Sequence, residues 1–78
     1  MNKEKGNALS LFVKQKRKQI DITQIELADK AGVGLRFVRD MEQGKMSLRM
    51  DKVNDVLKLF GAELAPSNMD RNKLTNNG

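Results

Sequence analysis

The chain has no cysteine, histidine, tryptophan or tyrosine, and only one proline and three phenylalanines in its 78 residues. Without cysteine it can form neither a disulfide nor a thiolate metal site. Without histidine it lacks the commonest general base and the commonest nitrogen ligand for metals. Three phenylalanines are too few for a surface that stacks the successive bases of a single nucleic-acid strand. No apolar run approaches the length of a membrane span. The start MNKEKGN is polar, with no signal-peptide hydrophobic region, so a cytoplasmic protein with no membrane partner is expected. There is no GxxxxGK phosphate loop, and a chain this short leaves no room for a sizeable pocket. Its carboxylates have simpler uses as caps, helix surface and ion-pair residues. No enzyme activity, cofactor or metal is therefore expected.

What is present is charge. Fifteen Lys and Arg residues against ten Asp and Glu give a net charge of +5, with an isoelectric point near 9.8. That is the basic range of a nucleic-acid-binding domain, and equally of a well-solvated basic surface. Seventy-eight residues make one domain at most, with a small core. Helix packing and a partner subunit are expected to stabilise it.

Leu9, Phe12, Val13 and Ile20 fall at helical spacing and predict a first helix over about 7–19, with Lys14, Lys16 and Lys18 on its outer face. Asp21 is expected in the turn that follows, where a left-handed backbone costs Asp less than most residues but more than Gly. Thr23 and Glu26 have capping-box spacing and open a second helix that ends near Ala31. It buries Leu27, Ala28 and Ala31. Ala28 is small because a close helix crossing leaves no space for more. Gly32-Val33-Gly34 forms a tight turn, and Gly34 serves as an N-cap without a side-chain bond. Leu35 to Gln43 reads as a third helix that buries Val38 and Met41 and stops at Gly44. A fourth helix is expected over about 50–60, with Asp51 at its N-terminus and an apolar stripe of Met50, Val53, Val56, Leu57 and Phe60, ended by Gly61. Ala62 to Ala65 fits a short extended segment before Pro66. Residues 1–6 are expected to fray, and 67–78 to form a disordered tail. The expected domain is 7–66.

Two short helices around a glycine turn in a basic chain describe a helix-turn-helix, which places its second helix in the DNA major groove. The stretch TQIELADKAGVGLRFVRDMEQGK resembles the core of the lambdoid-repressor-type (XRE) helix-turn-helix family. The resemblance runs over many positions at fixed spacing. It implies an all-α, four- to five-helix lambda-repressor-like domain, with a short C-terminal dimerising strand as an optional addition. Asp21 stands where members often have glycine, and Gly34 where they often have Ser or Thr.

Leu35, Arg36, Arg39 and Asp40 lie outward on the third helix, opposite Val38 and Met41, and are the expected base-reading residues. Arginine reads guanine through paired bonds to O6 and N7, and Leu35 suits a thymine methyl. Phe37 sits at the edge of the buried face and fits either a base contact or the core. The alternative for both arginines is an ordinary solvated charge. Thr23 and Gln24 begin the second helix, where the family's matching glutamine bonds a backbone phosphate. Lys45, Arg49 and Lys52 surround the connection that runs beside the DNA backbone in phage repressors, and join them as phosphate candidates. The resemblance assigns Arg17 and Glu42 to a partly buried structural ion pair. The basic run from Lys14 to Lys18 adds long-range attraction at most.

One recognition helix reads few base pairs, so a homodimer on a palindromic double-stranded operator is expected, with half-sites about 34 Å apart. The candidate dimer surface is the segment around Phe60, Ala62 and Leu64, pairing as strands across a two-fold axis. The alternative is that Leu64 covers the domain's own core. AGVGLRFVRDMEQGK followed by LRMDKVNDVLKLFGAEL resembles HipB-type antitoxins. That implies a nucleoid-associated repressor of its own operon and, as a partner, a HipA-type Ser/Thr kinase toxin, whole or split into two proteins. Two other readings stay open. One is an interaction module that binds or inhibits such a kinase, with DNA binding secondary. The other is a solitary phage-type repressor.

Overall fold

The computed structural model describes residues 6–68. Four helices follow one another: α1 (Ala8–Gln19), α2 (Gln24–Ala31), α3 (Leu35–Glu42) and α4 (Met50–Lys58). There is no strand among the described residues, so the all-α expectation stands in its four-helix form. The expected extended segment after Gly61 has no strand partner among the described residues. The expected fraying of 1–6 and disorder of 67–78 fall largely outside the described residues.

Side chains cap the starts of α1 and α2, Gly34 opens α3, and α4 begins after Arg49 with no side-chain cap bond. Thr23 and Glu26 form the expected box: the Glu26 N–H donates to Thr23 Oγ1 at 3.1 Å, and the Thr23 N–H to Glu26 Oε1 at 2.8 Å. α1 has an equivalent device that the sequence reading missed. Asn7 is its N-cap rather than its first helical residue. The Ser10 N–H donates to Asn7 Oδ1, and the Asn7 N–H to Ser10 Oγ, both at 2.8 Å. Ser10 is fully buried, and these local bonds make that burial tolerable.

All four helices stop by one mechanism. A residue one to three positions beyond the helix end donates back three positions, and the next residue five: 18←21 and 17←22, 29←32 and 28←33, 41←44 and 40←45, 58←61 and 57←62. This double closure needs a left-handed residue, supplied by Asp21, Gly32, Gly44 and Gly61. It also ends two helices earlier than expected: α3 at Glu42 rather than Gln43, and α4 at Lys58 rather than Phe60.

Val13, Leu27, Ala28, Val38, Met41, Val53, Val56 and Leu57 form the buried core. Each large side chain among them that is removed from water contributes about 1.5–3 kcal/mol. Leu9, Phe12, Ala31, Leu35, Phe37, Phe60 and Ala62 pack against this core without being fully covered. Two expected core positions are wrong. Ile20 is 52% exposed and Met50 68% exposed. Each sits at a helix terminus, where the chain is turning and the 3.6-residue stripe no longer points at the neighbouring helices.

Asp21 is the only non-glycine residue with positive φ among those described, at 58°. Replacing it with glycine removes the Cβ clash and should stabilise the fold by about 0.5–1 kcal/mol. Urea unfolding of Asp21→Gly should show a raised midpoint with unchanged slope.

Candidate nucleic-acid interface

The architecture of the site begins with Glu42, which is 3% exposed on the last turn of α3. Arg17, from α1, meets it with two parallel bonds: Nε to Oε2 at 2.7 Å and Nη2 to Oε1 at 3.0 Å. The remaining guanidinium nitrogen, Nη1, donates to the Ile22 carbonyl at 2.9 Å. Glu42 accepts a third bond at Oε1, from Gln24 Nε2 at 3.0 Å. The hydrogen bond to Glu42 holds the Arg17 pKa above its ordinary value. A buried carboxylate is tolerable only when paired and fully hydrogen-bonded, and here it is both. The pair assigned by sequence resemblance thus joins α1, the start of α2 and the end of α3.

With its inner edge pinned, α3 turns a defined face outward. Val38 and Met41 are fully or almost fully buried; Arg36 and Arg39 are exposed. Neither arginine has an ion-pair partner among the described residues. The other two expected base readers are placed differently. Leu35 is half-buried and packs against the core. Asp40 is half-buried, with its carboxylate 3.6 Å from Lys45 Nζ.

The phosphate candidates divide in the same way. The Thr23 hydroxyl accepts the capping bond, and one amide hydrogen of Gln24 is directed at Glu42. Arg49 grips Asp51 with two bonds, at 3.2 and 2.8 Å. The hydrogen bond from Arg49 holds the Asp51 carboxyl below its ordinary pKa. The stabilisation linked to that lowered pKa is present above the ordinary carboxylate pKa and disappears as pH falls through the lowered one. Lys52 is half-buried and has no ion-pair partner among the described residues.

The dimerisation candidates are also split. Phe60 turns inward, its ring 6.5 Å from that of Phe12 at 81°, an edge-to-face contact. Ala62 packs on the core. Leu64 remains 37% exposed beside a shallow apolar cleft lined by Ala8, Leu9, Phe12, Leu57 and Ala62. Its N–H donates to Asn54 Oδ1 at 2.8 Å. Asn54 and Asn7 were both missed as site-shaping residues. Asn54 carries no local sequence signal. Asn7 does: an Asn followed three residues later by Ser, just ahead of an apolar run.

The profile of the helix-turn-helix family matches residues 13–66. The chain is also 41% identical over 56 residues, 72% of its own length and 74% of the relative's, to the uncharacterized HTH-type transcriptional regulator y4mF of Sinorhizobium fredii. No solved structure matches the chain significantly.

Removing Glu42 alone leaves Arg17 half-buried without its counter-charge, and should cost roughly 3–5 kcal/mol. An Arg17→Met, Glu42→Leu pair should lose distinctly less. Chemical denaturation of the single and double variants compares the two costs directly.

Proposed function

Because the chain belongs to the helix-turn-helix family, with a relative named as a transcriptional regulator, we propose that it is a sequence-specific DNA-binding repressor acting as a homodimer. The observation that carries this reading is the outer face of α3. Two exposed arginines three residues apart have no carboxylate partner among the described residues, on a helix whose opposite side is locked into the core. Uncommitted guanidinium groups on a rigid helix suit paired bonds to guanine in the major groove.

In this reading Arg36 and Arg39 read bases, with Leu35 and Asp40 at the margin of the same face. Thr23, Gln24, Lys45, Arg49 and Lys52 meet phosphates and contribute affinity rather than sequence information. Residues 7–66 are the DNA-binding and dimerising unit. Two copies pair through the segment from Phe60 to Pro66, whose exposed Leu64 and adjoining cleft favour self-association, and together they bind a palindromic operator. Phe60 supports that surface from inside its own subunit. The resemblance to HipB-type antitoxins supports a narrower role: autorepression of a toxin–antitoxin operon in the nucleoid, with a HipA-type Ser/Thr kinase as protein partner.

The experiment is a titration of the protein into a duplex from its own upstream region, and into a scrambled duplex, across several salt concentrations. A preference for the upstream duplex that persists at physiological salt is expected. Arg36→Ala with Arg39→Ala should abolish that preference. Lys45→Ala should instead weaken binding to both duplexes and lower the salt slope by about one. Equal, steeply salt-dependent binding of the wild-type protein to both duplexes would remove the sequence-reading role.

A further inference from the structure

The loop between α3 and α4 carries Lys45, and its first peptide unit is held from both ends. The Lys45 N–H donates to the Asp40 carbonyl at 3.0 Å, as part of the helix stop. The carbonyl of the same peptide, that of Gly44, accepts a bond at 3.2 Å from Asn7 Nδ2, 37 residues away in sequence. A trans peptide is planar, so fixing its N–H and C=O fixes the orientation of the whole plane. That plane contains the Lys45 Cα, so it sets the point from which the lysine side chain leaves the backbone. Gly44 has φ near 90°, which allows a wide range of alternative loop directions in the absence of an outside contact.

Asn7 is itself rigidly placed. Its Oδ1 accepts the Ser10 N–H, its backbone N–H donates to Ser10 Oγ, and its carbonyl accepts the Ser10 hydroxyl at 3.0 Å. With Oδ1 committed to the cap, the amide can point only its NH2 group at the loop. That group also lies 3.8 Å from Met46 Sδ, so it touches the residues on both sides of Lys45. One side chain therefore does two separable things: its oxygen starts α1, and its nitrogen sets the loop.

We propose that Asn7 is a positioning residue for DNA binding, acting through the Gly44 carbonyl to hold Lys45 at the DNA backbone. This rests on the DNA-binding reading above. It assigns a binding effect to a residue that lies in neither the recognition helix nor the turn before it.

Serine at position 7 keeps an N-cap oxygen but loses the NH2 donor. Asn7→Ser should retain the wild-type melting midpoint within a few degrees. It should nevertheless weaken binding to the upstream duplex by roughly five-fold, the scale of one ordinary hydrogen bond. The deciding measurement is a double-mutant cycle with Lys45→Ala, scored by duplex titration. In the Lys45→Ala background, Asn7→Ser should change affinity by less than about two-fold, because the group it positions is gone. An equal loss in both backgrounds, or no loss in either, overturns the positioning role while leaving the DNA-binding reading in place. If the wild-type protein shows no preference for the upstream duplex over the scrambled one, the DNA-binding reading falls and this inference falls with it. Asn7→Ala removes cap and donor together. A destabilisation larger than that of Asn7→Ser, at a similar loss of affinity, separates the two roles.

Discussion

The carboxylate of Glu42 is the constraint from which the rest of the geometry follows. It is buried at the end of α3 and accepts bonds from Arg17 of α1 and Gln24 of α2. A charge in that position has one low-energy arrangement of its neighbours, because any donor it loses leaves a desolvated lone pair. Apolar packing among Val13, Leu27, Val38 and Met41 is favourable but tolerant of small slides and rotations. Directional bonds at a buried charge are not tolerant. The same Arg17 also reaches the Ile22 carbonyl, while its own carbonyl accepts the Ile22 N–H at 3.3 Å. It thereby clamps the turn in which Asp21 holds its left-handed backbone. One ion pair sets both the corner after α1 and the rotation of α3 about its axis, and that rotation decides which side chains face outward.

Helix termini do the remaining work of shaping the domain. Each helix has few turns, so propensity alone would leave it frayed, and stability has to come from packing and from satisfied ends. Capping boxes at Asn7 and Thr23 close two N-termini. The repeated left-handed stop closes all four C-termini. These stops also redirect the chain sharply enough that α2 and α3 pack together after only Gly32, Val33 and Gly34. The short turn keeps the α2 N-terminus, with Gln24, next to the last turn of α3.

Most of this was legible in the sequence because it depends on local chemistry. The capping box at Thr23, the glycine stops, the small Ala28 and the buried Val38 and Met41 all follow from residue type and spacing. Asp21 announced itself as a costly occupant of a turn. The misses share a physical cause: they depend on the ends of elements or on distant partners. Ile20 and Met50 fit the helical period but lie where the period ends, and solvent receives them. Phe60 fits both the apolar stripe of the fourth helix and a partner surface, and only the fold shows that its ring meets Phe12 of α1. Asn54 and the Gly44 carbonyl gain their roles from partners that no local window contains. Of the candidate site, the arginines of α3 and the Arg17–Glu42 pair stand where the sequence put them. The split between free and internally paired charges around them required the folded arrangement.

That split bears on how a domain with a net charge of only +5 would approach DNA. Lys45 faces Asp40, and Arg49 faces Asp51, so at long range these two sites are nearly neutral. Attraction at a distance must then come from unpaired cations, among them Arg36 and Arg39, with the lysines of α1 adding to the general field. On the proposed reading, in which Lys45 and Arg49 meet phosphates, the paired cations become useful at contact. Exposed ion pairs contribute little to stability, so exchanging a carboxylate for a phosphate is cheap, and the cation arrives already oriented. The displaced carboxylates remain nearby and repel any phosphate that is poorly placed. Affinity is thereby lowered overall, but more for misregistered complexes than for the correct one. A device of this kind favours discrimination over tightness, which suits the proposed reading, where a single α3 reads few base pairs and the remaining selectivity must come from register.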